Sequence, residues 1–285
     1  MGVGETEAAL PLMEKALAGR IKTLGRNAPE TLITQSNLSS LFQQIGQTEK
    51  AIELRKDTLR RMKKTFGPDH PNTLHVMTSL ANSLLNDRRS TDDDRKQAVE
   101  LLEISLEKYR ALFGLAHPST ARGLSRLRSA LASIGDVTRY NEILDEELEF
   151  FGERLPVESP EWHGLLAVSG AELVELQEFE RAKKVLRECL QLRKKAAPDS
   201  WLTFDTQSTL GEAIMGLKEF EKAEGPLRSG FEGLNQRVDS IPESFRVELL
   251  SQAVERLIKL AVLTKDSESE VKWKKELAKI KNVAN

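Results

Sequence analysis

Apolar residues recur in two fixed patterns along this chain of 285 residues, and each pattern predicts one helix of a repeating unit. In the first pattern, a small residue is followed eight positions later by an apolar one, and successive copies begin 41 to 47 residues apart. The copies are Ala9/Leu17, Ala51/Leu59, Ala98/Leu106, Ala182/Leu190 and Ala223/Phe231, with weaker ones at Tyr140/Leu148 and Glu270/Ala278.

The second pattern lies thirteen residues ahead of the first and pairs residues four positions apart, which share one face of a helix. Its pairs are Leu38/Phe42, Leu80/Leu84, Leu127/Leu131, Ser169/Leu173, Leu210/Ile214 and Leu257/Ala261. Short polar turns follow it, such as "IGQ" at 45–47, "IGD" at 134–136, "LQE" at 176–178 and "LKE" at 217–219. Each unit is therefore predicted to be an antiparallel helical hairpin.

These patterns predict an all-α chain of thirteen helices in a single solenoid domain over residues 1–285. A lone second helix at 5–24 comes first. Six hairpins follow, at 30–66, 71–113, 118–151, 160–195, 201–237 and 243–283. The last helix is expected to close the stack, with a polar outer face and with Val271, Leu277 and Ile280 underneath.

A short phrase recurs between hairpins, as "FGPDHPNT" at 66–73 and "FGLAHPST" at 113–120. Its glycine suits the left-handed end of a helix and its proline suits the first turn of the next. We therefore interpret His70 and His117 as corner residues, with the histidine or Asp69 capping the new helix, rather than as catalytic groups.

Composition argues against several classes of function. The net charge of −2 predicts no broad field for nucleic acid or an anionic membrane. No apolar run is long enough to span a bilayer, so a cytoplasmic protein is expected. The single cysteine, Cys189, lies on the apolar side of a predicted helix and is expected to be a buried, inert thiol.

No catalytic, cofactor or metal site is predicted. Phosphate-binding loops, kinase signature triplets and a nucleophile elbow do not occur. The aspartates of "NDRRSTDDDRK" at 86–96 lack the spacing of a calcium loop and are interpreted as a solvated loop, with Asp94 as a cap. The segment "DEELEF" at 145–150 is interpreted as a solvated helical face.

The unit resembles the tetratricopeptide repeat of the kinesin-light-chain type, which has 42-residue repeats. The residues that carry the resemblance are the corners and the segments "NLSSLFQQIGQTEKAIEL" at 37–54 and "SLANSLL" at 79–85. The segment from "PDSWLTFDTQSTLGEAIMGL" at 198–217 onward is similar to the repeat tails of planctomycete serine/threonine kinases. The resemblance implies a right-handed superhelical solenoid.

Family geometry implies that the first helices of the hairpins line a concave groove that binds a peptide. The implied groove residues are Ile33, Ser36, Asn37 and Ser40; His75, Thr78, Ser79 and Asn82; Arg122, Ser125, Arg126 and Ser129; Gly164, Ala167, Val168 and Ala171; and Asp205, Ser208, Thr209 and Glu212. Because kinesin-light-chain repeats bind short acidic peptides, the resemblance implies an acidic ligand near Arg122 and Arg126, although these arginines would equally suit pairing with glutamates or facing solvent.

The expected function is thus a non-enzymatic scaffold that binds a protein or peptide. Two alternatives remain open. One is a detached regulatory or recruiting tail of a bacterial serine/threonine kinase. The other is a structural solenoid that self-associates through its N-terminal half-repeat, whose missing first helix would leave an apolar side exposed.

Overall fold

The computed structural model describes residues 3–115 and 117–282. Within these residues the chain forms thirteen α-helices and one short 3₁₀ helix, Val238–Ser240. The first seven helices are α1 Val3–Leu24, α2 Pro29–Gln44, α3 Thr48–Thr65, α4 Pro71–Asn86, α5 Asp92–Phe113, α6 Pro118–Ile134 and α7 Val137–Gly152. The other six are α8 Pro160–Glu175, α9 Phe179–Ala196, α10 Trp201–Gly216, α11 Phe220–Gln236, α12 Glu243–Thr264 and α13 Ser267–Asn282.

The predicted all-α fold of antiparallel hairpins is confirmed. Within hairpins, α2 packs on α3, α4 on α5, α8 on α9, α10 on α11 and α12 on α13. The chain divides into two compact units, the first ending at Glu147 and the second beginning at Leu148. A single solenoid domain over 1–285 stays a prediction, and residue 283 of the last predicted hairpin lies outside the described residues.

Both sequence patterns lie in the core. Four alanines of the first pattern have no exposed surface: Ala51, Ala98, Ala182 and Ala223. The leading residues of the second pattern, from Leu38 to Leu257, are all buried. Small side chains where two helices cross allow the helices to approach closely, and the larger residues four positions on fill the space beside them.

A residue in the left-handed conformation ends the first helix of several hairpins. Gly46 and Gly135 take this conformation with φ of 76° and 70°. Gln177, Lys218 and Lys265 take it with φ of 61°, 63° and 58°, although they carry side chains. The "LQE" and "LKE" turns thus have the same backbone as the glycine turns, as the alignment of the repeats predicts.

The recurring phrase forms a corner that is held by side chains. At the first corner, the Nδ1 atom of His70 accepts a hydrogen bond from the backbone N–H of Asn72 at 3.1 Å. The imidazole stacks on Phe66, with ring centroids 4.7 Å apart. The hydroxyl of Thr73 donates back to the carbonyl oxygen of Gly67 at 2.9 Å.

The second corner repeats these contacts. His117 accepts from the N–H of Ser119 at 3.1 Å, and its ring lies 4.4 Å from that of Phe113. Thr120 donates to the carbonyl oxygen of Gly114 at 2.8 Å. These bonds confirm that both histidines are corner residues. They also show that the histidine, rather than Asp69, caps the new helix.

The interpretation of residues 86–96 as a loop was partly wrong. The three aspartates form the first turn of α5, and its N-cap is Thr91 rather than Asp94. The N–H of Asp94 donates to the Thr91 hydroxyl at 3.1 Å, and the Asp94 carboxylate accepts from the Thr91 N–H at 3.0 Å. This capping box places negative charge at the N-terminus of α5, and it stabilises a helix from Asp92 onward, where the sequence predicts a loop.

Two other expectations fail because tertiary packing decides them. Glu147, within the segment read as a solvated face, has no exposed surface and accepts from Nε of buried Arg128 at 2.5 Å. Val271 of α13 is 53% exposed, and Trp273 is buried instead. Its ring meets Phe231 edge-on, with centroids 5.5 Å apart.

We expect Gly230→Ala to lower the free energy of unfolding by about 1–3 kcal/mol, because a new Cβ would lie 2.7 Å from the backbone nitrogen of Ser208 and backbone cannot rotate away. Gly225 of the same helix has no atom near its would-be Cβ. Gly225→Ala is therefore the matched control and should raise stability by about 1 kcal/mol. Urea unfolding followed by circular dichroism measures both, and equal effects of the two variants would contradict the packing described.

A second prediction concerns the corner histidines. His70→Ala should cost about 1 kcal/mol, because it removes the acceptor for a free N–H group at the start of α4. His70→Ser should retain most of the stability, since Ser159 and Ser200 cap α8 and α10 in the same way. Denaturant midpoints of the three proteins decide this. If the serine variant is as unstable as the alanine variant, the cap is not what the histidine contributes.

Candidate functional site

The candidate site lies on the first helices of the hairpins, which are neighbours within each unit. In the first unit α2 contacts α4, and in the second unit α10 contacts both α8 and α12. The solvent-facing residues of these contacting helices are therefore brought side by side, and the peptide-binding groove stays a prediction. Residues that face each other on two adjacent first helices are far apart along the chain.

In the first unit, most of the predicted groove residues retain solvent access. Asn37, His75, Arg122, Arg126 and Ser129 are exposed, and Ser40, Ser79 and Asn82 are half-buried. Among the other implied residues, Thr78 is buried. It donates to the carbonyl oxygen of His75 at 3.0 Å, so it belongs to the helix rather than to a ligand surface.

The structure brings His75 of α4 close to the two arginines of α6. Desolvation by the surrounding side chains, and then the positive charges of Arg126, Arg55 and Arg122, lower the pKa of His75. Tyr109 lies beside the same arginines, and burial raises the pKa of its phenol. This group of side chains, comprising His75, Tyr109, Arg122 and Arg126, is called the cationic patch below.

The arginines of the cationic patch differ from the other arginines around them. Arg110, Arg128 and Arg139 pair with glutamates at 2.5, 2.5 and 2.6 Å. Arg122 and Arg126 make no ion pair with any described residue, and both are exposed. Pairing with glutamates is thus not what these two arginines do within the described chain, and their donors face solvent.

Arg55 was missed by the sequence analysis. It is buried, and its Nη1 atom donates to Oε1 of Gln43 at 3.1 Å and also to the Ser83 hydroxyl. Burial lowers the pKa of its guanidinium. Nothing in the spacing of α3 distinguishes Arg55 from its solvated neighbours, because only the packing of α4 against α3 encloses it.

In the second unit, the predicted groove residues Asp205 and Glu212 are half-buried on α10. Burial raises the pKa of Asp205, which the positive charges of Arg256 and Arg193 only partly offset. Glu212 accepts from Nε of Arg256 at 2.7 Å and lies 3.5 Å from Nζ of Lys259. Neither cation of α12 was predicted from the sequence, because each meets Glu212 only through the packing of α12 on α10.

Neighbouring implied residues in this unit are small or already engaged. Gly164, Ala167 and Ala171 of α8 are half-buried, while Val168 is 50% exposed. Ser208 is buried and its hydroxyl lies 3.1 Å from Nη1 of Arg256.

The remaining reactive residues have structural roles. Cys189 is buried, as predicted, and its thiol donates to the carbonyl oxygen of His163 at 3.3 Å. Burial raises the pKa of that thiol, which disfavours the nucleophilic thiolate. Residues 3–115 and 117–282 contain no group of three metal-ligating side chains, and none of their helices is long and apolar enough to cross a membrane.

Residues 1–64 match the family model of the tetratricopeptide repeat. No curated protein matches the chain by sequence.

Several solved structures share the fold. The crystal structure of a putative kinesin light chain with nearly identical tetratricopeptide-like repeats, from Podosopora anserina, is 24% identical with a TM-score of 0.61, over 68% of this chain and 90% of that one. BtubC (BKLC) of P. vanneervenii is 16% identical with a TM-score of 0.59, over 85% of this chain and 92% of that one.

The apo form of the quorum sensor NprR from B. thuringiensis is 13% identical with a TM-score of 0.51, over 96% of this chain and 83% of that one. The narrower similarity to kinase tails stays a prediction. The resemblance to tetratricopeptide-repeat proteins of the kinesin-light-chain type is confirmed, through the family model over residues 1–64 and through the shared fold over most of the chain.

Proposed function

We propose that this chain is a non-enzymatic interaction module that captures an extended acidic peptide segment on the first helices of its first unit. The observation that carries the proposal is the cationic patch. Two arginines one helical turn apart present their guanidinium groups to solvent, with no carboxylate of the described residues paired to them. A cytoplasmic location is part of the proposal.

Electrostatics supports an anionic ligand. Like charges four residues apart on a helix repel each other, and His75 adds to this positive field whenever it is protonated. A carboxylate that binds between Arg122 and Arg126 relieves the repulsion. It also accepts paired hydrogen bonds, because the planar guanidinium fork matches the geometry of a carboxylate.

The neighbouring residues suit the backbone of an extended peptide. Asn37 on α2 and Asn82 on α4 each offer an amide that can donate to a peptide C=O and accept from a peptide N–H. Ser40, Ser79 and Ser129 are small hydroxyl side chains that leave room for a chain to lie along the helices. Specificity for acidic side chains then comes from the arginines, and from His75 when it is protonated.

Self-association is a second candidate function, and one observation favours it. Leu10, Met13 and Leu17 of α1 pack on the core around Leu38. Leu12 is nevertheless 71% exposed on the same helix. An exposed apolar side chain on α1 suits a contact with a second copy of the chain, although a single leucine contributes little area.

We expect Arg122→Glu with Arg126→Glu to weaken binding of a fluorescein-labelled Glu-Leu-Glu-Glu-Leu-Glu peptide by at least about tenfold, because two charge-assisted hydrogen bonds become repulsions. Fluorescence anisotropy measures the affinity, and circular dichroism checks that the helices remain. The matched control is Lys63→Glu with Lys64→Glu, which makes the same charge change at exposed positions of α3. Equal losses in both variants would show a general charge effect, and an unchanged affinity in the arginine variant would refute the proposal.

Binding of the same peptide should strengthen as the pH falls below 7. The pKa of His75 is lowered in the free protein, so the residue is mostly neutral at pH 7 and gains its positive charge only at more acidic pH. An anionic ligand favours the protonated form, so binding takes up a proton and the affinity rises by about two- to fivefold.

His75→Gln should remove this pH dependence without changing the affinity at neutral pH. Anisotropy titrations from pH 7.5 to about 5 compare the two proteins, a range in which glutamate side chains remain largely ionised. A wild-type affinity that falls with decreasing pH would be inconsistent with an acidic ligand beside His75.

A further inference from the structure

A cavity of about 500 Å³ lies within the second unit, between α8, α10 and α12. This volume is in the range of small-ligand sites in proteins, roughly 300–1,000 Å³. Its apolar part consists of Ala171 and Val174 of α8 and of Phe179, the first residue of α9. It is separate from the cationic patch, which belongs to the first unit.

The apolar wall of the cavity has a defined cause. The ring of Phe179 lies directly against Gly216, and a Cβ at that position would meet ring atoms at 2.4 Å. The absence of a side chain on Gly216 therefore allows the ring to pack directly against the end of α10. Val174 is buried and Ala171 is half-buried, so an entering apolar side chain would find a preformed apolar surface on α8 and at the start of α9.

The cations of the cavity are already engaged by the protein. Arg256 donates to Glu212 at 2.7 Å and to Ser208 at 3.1 Å. Lys259 lies 3.5 Å from the other oxygen of Glu212. An anionic ligand would have to displace Glu212 from Arg256, and both of these side chains are largely enclosed, so breaking this pair is unfavourable. The contact of Glu212 with Lys259 is weaker, because Lys259 is mostly exposed.

Two other carboxylates that line the cavity, Glu175 and Glu255, are less strongly paired than Glu212. Glu175 makes no ion pair with any described residue and is exposed. Glu255 pairs with Lys281 at 3.1 Å, but both side chains are more than half exposed, so this pair contributes little. Glu175 is also the last residue of α8, where the unpaired carbonyl groups of a helix carry partial negative charge.

From these contacts we infer that the cavity of the second unit binds a basic peptide segment, in which an apolar side chain lies next to a lysine or arginine. The apolar side chain packs on Ala171, Val174 and Phe179, and the cation pairs with Glu175 and Glu255. The inference goes beyond the proposed function, because it assigns a second site with the opposite charge preference to the other unit.

The test uses the full chain and a fluorescein-labelled Lys-Leu-Lys-Lys-Leu-Lys peptide, the charge-inverted form of the acidic probe. Glu175→Gln with Glu255→Gln should weaken binding of this peptide by about tenfold. The control, Glu180→Gln with Glu188→Gln, removes two exposed carboxylates of α9 outside the cavity and should leave the affinity within about twofold.

A second variant tests the apolar half. Ala171→Phe places a ring in the cavity and should abolish binding of the basic peptide, while binding of the acidic peptide stays unchanged. The inference is overturned if the wild-type chain does not bind the basic peptide, if the α9 control loses as much affinity as the cavity variant, or if Ala171→Phe removes acidic-peptide binding instead. Should Ala171→Phe fail to fold by circular dichroism, the carboxylate variants alone decide the question.

A failure of the basic-peptide inference can be distinguished from a failure of the proposed acidic-peptide function. The arginine variant of the first unit should retain the basic peptide and lose the acidic one, whereas the carboxylate variant of the second unit should do the reverse. Loss of both peptides in either variant would mean that a single site binds both, which contradicts the inference.

Discussion

The structure depends on one constraint, which is that no helical hairpin of this chain can bury its apolar side by itself. The alanines of the first pattern, such as Ala51 and Ala182, have no exposed surface because a neighbouring helix lies directly on them. Within each unit, a hairpin is therefore stable only when it packs on a neighbouring hairpin, as in other repeat proteins. The corners that set the angle between hairpins matter as much as the apolar residues, and this explains why His70, Thr73 and their counterparts recur.

A weaker copy of the repeat shows how a departure from the pattern is compensated. Tyr140 stands where five of the other copies have alanine, and it is fully buried. Its ring lies 6.0 Å from the guanidinium carbon of Arg128, which in turn pairs with Glu147. A bulky aromatic residue and a buried ion pair thus replace the close contact of small residues. Removing one member alone would leave a buried charge without its partner.

The proposed function depends on the helix surfaces that take no part in this packing. Each first helix buries one side in the hairpin stack, and its other side is free to vary without loss of the fold. In the first unit this free side holds arginines with no carboxylate partner among the described residues. In the second unit the corresponding cations are Arg256 and Lys259 of α12, and both pair with Glu212. The same architecture therefore presents surfaces of different charge.

The sequence by itself determined the helices, the hairpins and the corners, because each depends on periodicity or on residues close along the chain. It left open whether Arg122 and Arg126 pair with glutamates or face solvent, and their place on the groove was implied by the resemblance alone. It did not determine that Glu147 is buried, that Trp273 rather than Val271 is covered, or that Arg256 pairs with Glu212. Those facts depend on which distant helix covers a side chain. Periodicity gives the face of a helix a residue occupies, but only the tertiary structure decides which partner meets it there, because burial and ion pairing arise between residues far apart in sequence.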